Sequence, residues 1–429
     1  MFALCLLLSA CVLFAGGSKD QTEPERVVTT VCGPEYAAAE WFNNMNAAFE
    51  AETGIHVDVQ PTPGEGDEHD AKVNIDLLAG GTIDVIPSTG DRRYQTRVAA
   101  GFLMPLNDVL EERGYDAEAV YGANLPVEDD GYYYGLPFKQ ELYCVFYNKD
   151  IFDNAGVPYP EGPWTWDDYV ETAKKLTDPK KGIYGSFMDP DNPWYYFPAK
   201  QQDIPLYKED GTCNFDTPEM REAVVWFREL GNTLKVQMSV EEMLAENASW
   251  NYYALAGDVL AMSPQGNWFT RLLNSQVDYP RDWKYGIAPL PSAPDGGANN
   301  LASMSFVAIN KNAEHLDEAV EYVLWLADNR WKFEGGIPAM AEFTEEVQQQ
   351  VFASIAEASD GQITVEDLYN GLIDTGLGVA QFDILGTAST EYNAIVVQEL
   401  QAFNLELQSL DETMARITTR VNEVIANAE

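Results

Sequence analysis

Apolar positions along this chain repeat with two periods, and the alternation between them predicts the order of elements. Val27–Val31 reads as a strand, and Cys32–Tyr36 as the loop that leaves its end. Trp41, Met45, Ala48 and Phe49 follow at helical spacing, and Gly54 ends that helix. Ile55, Val57 and Val59 alternate as a second strand, so the chain opens as a β-α-β unit, which implies parallel pairing. Lys72–Ala79 reads as a short helix closed by Gly80-Gly81, with a strand at Ile83–Ile86 and a loop at Pro87–Arg92. An aromatic strand over Tyr132–Phe138 and a second, alternating one over Tyr143–Asn148 come next.

Thr165 caps a helix with Asp168 in a capping box, and Trp166, Tyr169, Val170 and Ala173 form its apolar face. Thr217-Pro218 opens another helix carrying Met220, Ala223, Val224 and Phe227. Gly257–Met262 reads as a strand leading to a helix start at Gln265–Trp268, and Trp283–Pro291 as a further strand. A Gly/Asn/Ser loop is expected over Asp295–Ser305, entering a strand at Phe306–Ile309. Leu316, Ala319, Val320, Val323 and Leu324 share a helix face, and Ser409 with Glu412 caps an amphipathic terminal helix.

Several unusual words occur together and in order: YGLPF, YNKDIFDNAGVPYP, PWTWDDYVETAKKLTDPKKGIYG, FEAETGIHVDV and LLAGGTIDVIPSTGDRR. On them the chain resembles the family 1 extracellular solute-binding proteins, the ligand-capturing subunits of bacterial ABC importers, and the resemblance covers nearly the whole mature chain. It implies an α/β fold of the type II periplasmic-binding-protein kind: a two-lobed clamshell, each lobe a mixed, mostly parallel sheet flanked by helices. It also implies discontinuous lobes, 26–138 with 304–335 and 139–303 with 336–429, and a ligand cleft beside Phe138–Glu141.

The resemblance to maltose-binding members suggests site residues. Asp91 and Arg92 match an adjacent pair that contacts sugar hydroxyls, and Glu141 matches a glutamate at the hinge edge. Trp194 and Trp268 fall where those members have stacking aromatics. Tyr36, Tyr195, Ser303 and Met304 lie on neighbouring loops and crossings and join the candidates. Ser88 stands where those members have a sugar-contacting Trp, so maltodextrin itself does not follow. Each residue also has a plainer reading: Trp268 as core, Asp91 as a helix cap, Glu141 as the partner of Lys139. The loop Met188–Phe197, with four aromatics among Pro and Asn, is hard to explain as core alone.

Composition narrows the partners. With 69 acidic and 26 basic residues the net charge is −43, which argues against nucleic acid and against charge-driven adhesion to an anionic membrane. Cys32, Cys144 and Cys213 are too few and too scattered for a disulfide framework, and His56, His69 and His315 are scattered likewise; no cofactor or metal is implied. Phe2–Ala15 is apolar but too short to cross a bilayer, so residues 1–17 read as an export signal without its basic start. Leu8-Ser9-Ala10-Cys11 resembles a lipobox, making Cys11 a candidate lipid anchor, with 18–25 as a flexible tether.

The expected product is thus an extracytoplasmic, monomeric protein that closes on a mono- or oligosaccharide and delivers it to a membrane permease. It would be a cell-surface lipoprotein or periplasmic, and not an enzyme. Three rivals stay open, one of them a surface interaction protein without a ligand, which failure of any small solute to raise the melting temperature would favour. A glycosidase needs only a pair of carboxylates, which so acidic a chain always offers. A ferric-ion binder of related fold would use adjacent tyrosines such as Tyr195-Tyr196 or Tyr252-Tyr253.

Overall fold

Strand β1 (Val27–Cys32) lies parallel to β2 (His56–Pro61), in register from Val27 opposite His56 to Cys32 opposite Pro61. The helix Glu40–Thr53 connects them, buries Phe42, Met45 and Phe49, and stops at Gly54, whose left-handed φ of 70° a side chain would resist. On its other side β1 is parallel to β3 (Val85–Thr89). These strands belong to a computed structural model that describes residues 26–428 apart from 65, 192 and 293–298. The expected signal segment, tether and Cys11 lie outside the described residues.

Two long strands follow, and both run through the middle of the molecule. They are β4 (Gly135–Asn148) and β7 (Asn299–Ile309), paired antiparallel from Gly135 opposite Ala308 to Leu142 opposite Ala302. Beyond Leu142, β4 changes neighbours. Its second half pairs antiparallel with β5 (Met262–Gly266) and β6 (Tyr285–Pro289). Where the partners change, two side chains take up the backbone groups. Asn300 exchanges bonds of 3.0 Å with Tyr143 N–H and C=O, and Asn267 Oδ1 accepts from Leu142 N–H at 2.9 Å. The last strand, β8 (Gly378–Gln381), adds parallel to β7.

The hydrophobic core divides at the same places. Residues from Val28 to Phe138 and from Phe306 to Ala327 pack into two adjoining clusters. Leu142–Ala302 and the chain beyond Trp331 build two others. The cut falls between Phe138 and Leu142 on β4, and between Ala302 and Phe306 on β7. Two lobes joined by continuous strands result.

The order of elements agrees with the sequence pattern, while several bounds shift: Tyr36 lies in the helix Pro34–Ala38, the helix expected from Lys72 begins at Gly66, and Pro87–Thr89 and Gln265–Gly266 belong to strands. Four differences bear on the architecture. Tyr132–Phe138 and Tyr143–Asn148 are not two strands; the chain from Gly135 to Asn148 is one. Mostly parallel pairing holds for β1, β2 and β3, but β4 is antiparallel to all its neighbours. The strand expected at Gly257–Met262 begins only at Met262, because Gly257 packs against the Trp283 ring in a turn with no room for a Cβ. Finally, β7 starts at Asn299, inside the expected loop, because the polar side chain of Asn300 is spent on the neighbouring backbone.

Candidate functional site

A bulge between Pro137 and Lys139 breaks the register of β4 where it passes between the lobes, and beyond it Lys139 and Glu141 share a face. Both are buried. Lys139 Nζ contacts Glu141 Oε1 at 2.8 Å and donates to Glu334 Oε1 at 2.6 Å. Glu334 ends the helix Leu316–Glu334 and also accepts from Arg330 Nε at 3.0 Å. The methylenes of Lys139 fill the space where Gly336 would carry a Cβ. The Arg330 guanidinium lies 4.3 Å over the Phe138 ring and 5.7 Å over that of Tyr36, while Arg271 approaches Tyr36 at 5.3 Å.

The two carboxylates respond differently. Burial would raise Glu334, but Lys139, Arg330 and Arg271 outweigh it and hold the carboxyl well below the usual range. Glu141 is pushed up by burial, which Lys139 only partly offsets. A cavity of about 10 Å³, room for about one water-sized group, opens between Glu141, Asn267, Trp268, Arg271 and Glu334. Glu141 Oε2, an acceptor, and Asn267 Nδ2, a donor, are both buried and lack a hydrogen-bond partner.

Next to this cavity stands Tyr143, its ring stacked on Phe382 at 4.5 Å and its hydroxyl bonded to the Trp268 indole. Burial raises the phenol, with Asp383, Glu141 and Asp189 adding to the shift, so three carboxylates surround it. Asp383, just after β8, accepts from Arg92 N–H at 3.3 Å. Asp91, at the start of the helix Asp91–Ala99, accepts from Met304 N–H at 2.7 Å. Its carboxyl is pushed up to about 7, by burial first and by Asp383 second. Asp189 is likewise pushed up to about 7, by burial and then Asp191, and its Oδ1 has no hydrogen-bond partner. Gln265 Oε1 is another buried acceptor without one.

The expected residues thus gather unequally. Glu141 and Trp268 line one cavity, and Tyr36 reaches it through Arg271. Ser303 sits opposite Glu141 in the β4–β7 register, and Met304 and Asp91 are joined beside it. Arg92 turns its side chain to Asp67 at 2.9 Å. Trp194 is 4% exposed, with one face covered by Phe197 at 4.8 Å, and Tyr195 packs edge-on to Phe227. Tyr143, Asn267, Arg271, Arg330, Glu334, Asp189 and Asp383 were not among the expected site residues. Two of them lay in stretches the sequence singled out: Asn267 in the expected helix start Gln265–Trp268, and Asp189 in the loop Met188–Phe197.

Two lobes, strands passing between them, and a polar seam with unpartnered donors and acceptors define a hinged protein that encloses a small solute. The sequence model described as "Bacterial extracellular solute-binding protein" matches residues 33–333, and the chain belongs to that family. A putative binding protein of Brucella abortus is 25% identical over 336 residues, covering 76% of this chain and 77% of the relative. An arabinooligosaccharide-binding protein of Halalkalibacterium halodurans is 25% identical over 246 residues, covering 53% and 54%. Among solved structures, a Listeria monocytogenes ABC substrate-binding protein in complex with cycloalternan has a TM-score of 0.78 at 18% identity, over 94% of this chain and 99% of the other. A maltose-bound protein of T. maritima has a TM-score of 0.71 at 18% identity, over 92% and 98%. These structures share the fold.

Among the described residues, no helix is long and apolar enough to cross a membrane, and no three His, Cys, Asp or Glu side chains are grouped to hold a metal ion.

Proposed function

We propose that this solute-binding protein captures a carbohydrate between its lobes and presents it to an ABC permease. The observation that carries the reading is the seam cavity, where an unpartnered acceptor (Glu141 Oε2) and donor (Asn267 Nδ2) adjoin the Trp268 ring. A sugar offers the complements: hydroxyls that both donate and accept, and a C–H face for an aromatic ring. The relatives named for arabinooligosaccharide and the neighbours holding cycloalternan and maltose support the ligand class. Tyr36 and Asp91 complete the contacts from the first lobe's side, with Ser303 and Met304 beside them on β7. Arg92 contributes its N–H to Asp383 rather than its guanidinium to the guest.

The cavity at Glu141 takes one hydroxyl-sized group, so a whole ring enters only when the lobes part. Closing is then driven by contacts that exist only when both lobes touch the guest. Moving the closed fraction from about 1% to 99% takes about 5.5 kcal/mol of differential binding, within the roughly 8 kcal/mol of a micromolar complex. In this reading the lobes are 26–138 with 304–335 and 139–303 with 336–429, the protein is a monomer outside the cytoplasm, and Cys11 holds it to the membrane. It binds without turnover.

A thermal-shift screen over mono- and oligosaccharides tests the reading. A hit is expected, and Trp268→Ala is expected to abolish the shift while the ligand-free melting point moves only a few degrees. If no carbohydrate stabilises the protein, or if a glycan is cleaved during the assay, the reading is wrong.

A further inference from the structure

Trp250 lies in the turn before the short helix Tyr252–Ala256 and is 38% exposed, a large ring left partly in water. Single exposed apolar residues are ordinary on protein surfaces. This one differs in what it touches. Its ring centre is 5.7 Å from that of Trp268, at an interplanar angle of 57°. Trp268 in turn lines the seam cavity and bonds the Tyr143 hydroxyl. The two indoles therefore form one angled aromatic wall, with the half-buried ring in the seam and the exposed one outside it.

Polar groups accompany the outer ring. Asn251 Nδ2 donates to the Tyr279 hydroxyl at a long 3.4 Å, and Ser249 Oγ lies 3.2 Å from Asn251 Oδ1. An aromatic face edged by an amide and two hydroxyls is the chemistry that recognises a sugar ring, repeated outside the seam. Nothing in the packing of the lobe requires a Trp here, since the core beneath is made by Tyr253, Phe269 and Trp283.

We propose that Trp250 is an outer subsite, continuing the cleft beyond Trp268, and that the guest is an oligosaccharide whose chain emerges from the seam rather than a monosaccharide enclosed in it. The inference rests on the carbohydrate reading above and specifies the length of the ligand.

The test is isothermal titration of the wild type, Trp250→Ala and Trp250→Phe with mono-, di- and tetrasaccharide series of glucose, mannose and arabinose. The wild type is expected to prefer the longer members of one series. Trp250→Ala is expected to lose about tenfold more affinity for the tetrasaccharide than for the monosaccharide, and Trp250→Phe to keep most of the preference. Equal losses at every length, or none, overturn the subsite and leave the carbohydrate reading standing. Failure of the wild type to bind any member of the three series overturns the carbohydrate reading and the subsite with it. Matching thermal melts of the three ligand-free proteins separate lost affinity from lost folding.

Discussion

At the scale of single residues, the seam is set by carboxylates that burial keeps from ionising easily. Asp91 and Asp189 both sit near 7, each far above an aspartate in water, and neither has a cation among the groups that shift it. The folded protein therefore holds protons that the unfolded chain releases. Stability from this source is complete below about pH 4, where both states are protonated, and is lost as pH rises towards 7. Hydroxyl donors of a guest favour the ionised carboxylate, so affinity changes in the opposite direction. Between pH 5 and pH 8 the ligand-free melting point should fall while carbohydrate affinity rises. Asp91→Asn should flatten part of the first trend, as calorimetry across that range would show. Lys200, pulled down to about 8 by burial, loses its proton at the top of this range and adds stability there, so the fall is clearest between pH 5 and pH 7.

At the scale of elements, β4 and the end of the Leu316–Glu334 helix hold the hinge through one buried ion cluster. Removing one member leaves charges stranded. Lys139→Met should cost about 3–5 kcal/mol by denaturant unfolding, because Glu141 loses its cation in a dry site, and Lys139→Met with Glu141→Leu should recover much of it. The helix face of Leu316–Leu324 was legible in the sequence, but the pairing of Glu334 with Lys139 was not. No local pattern links residues so far apart.

The same distinction explains the other surprises. The alternation of β2 was readable because one of its faces meets the core and the other is exposed, whereas the second half of β4 is buried on both faces, one in each cluster of the second lobe. The segment Ser263–Gly266 gave no alternation because it is buried on both faces. Asn299–Ser305 looked like a loop because its polar residues serve the seam. The aromatics at Trp194–Phe197 suggested a ligand loop, yet they fill the second lobe's core, with Trp194 and Phe197 stacked on each other. Of the site, Glu141 and Trp268 were reachable through the family's motifs. Tyr143 was hidden by its own strand pattern, which accounts for it as core.

At the scale of the whole molecule, closure brings surfaces of the two lobes into contact away from the cavity. Thr96, on the helix Asp91–Ala99, meets Thr390, on the helix Ser389–Asn404, with hydroxyls 3.1 Å apart. That approach suits a disulfide, and the native Cys32, Cys144 and Cys213 are buried and unpaired, so they would not compete. The oxidised double variant Thr96→Cys/Thr390→Cys should be locked shut and exchange bound sugar far more slowly than the reduced form. Release of labelled ligand with and without reductant would show it; equal rates would mean that the lobes need not separate there.

The return of β7 has one more consequence. Val85 and its neighbours on β3 wait for Ile309 and the residues before it to fill the middle of the first lobe's sheet. A growing polypeptide cannot finish even its earliest lobe until most of its length has left the ribosome. For a chain bound for export this delay is useful, since a thread still without its central strand can be drawn through a narrow pore before it locks.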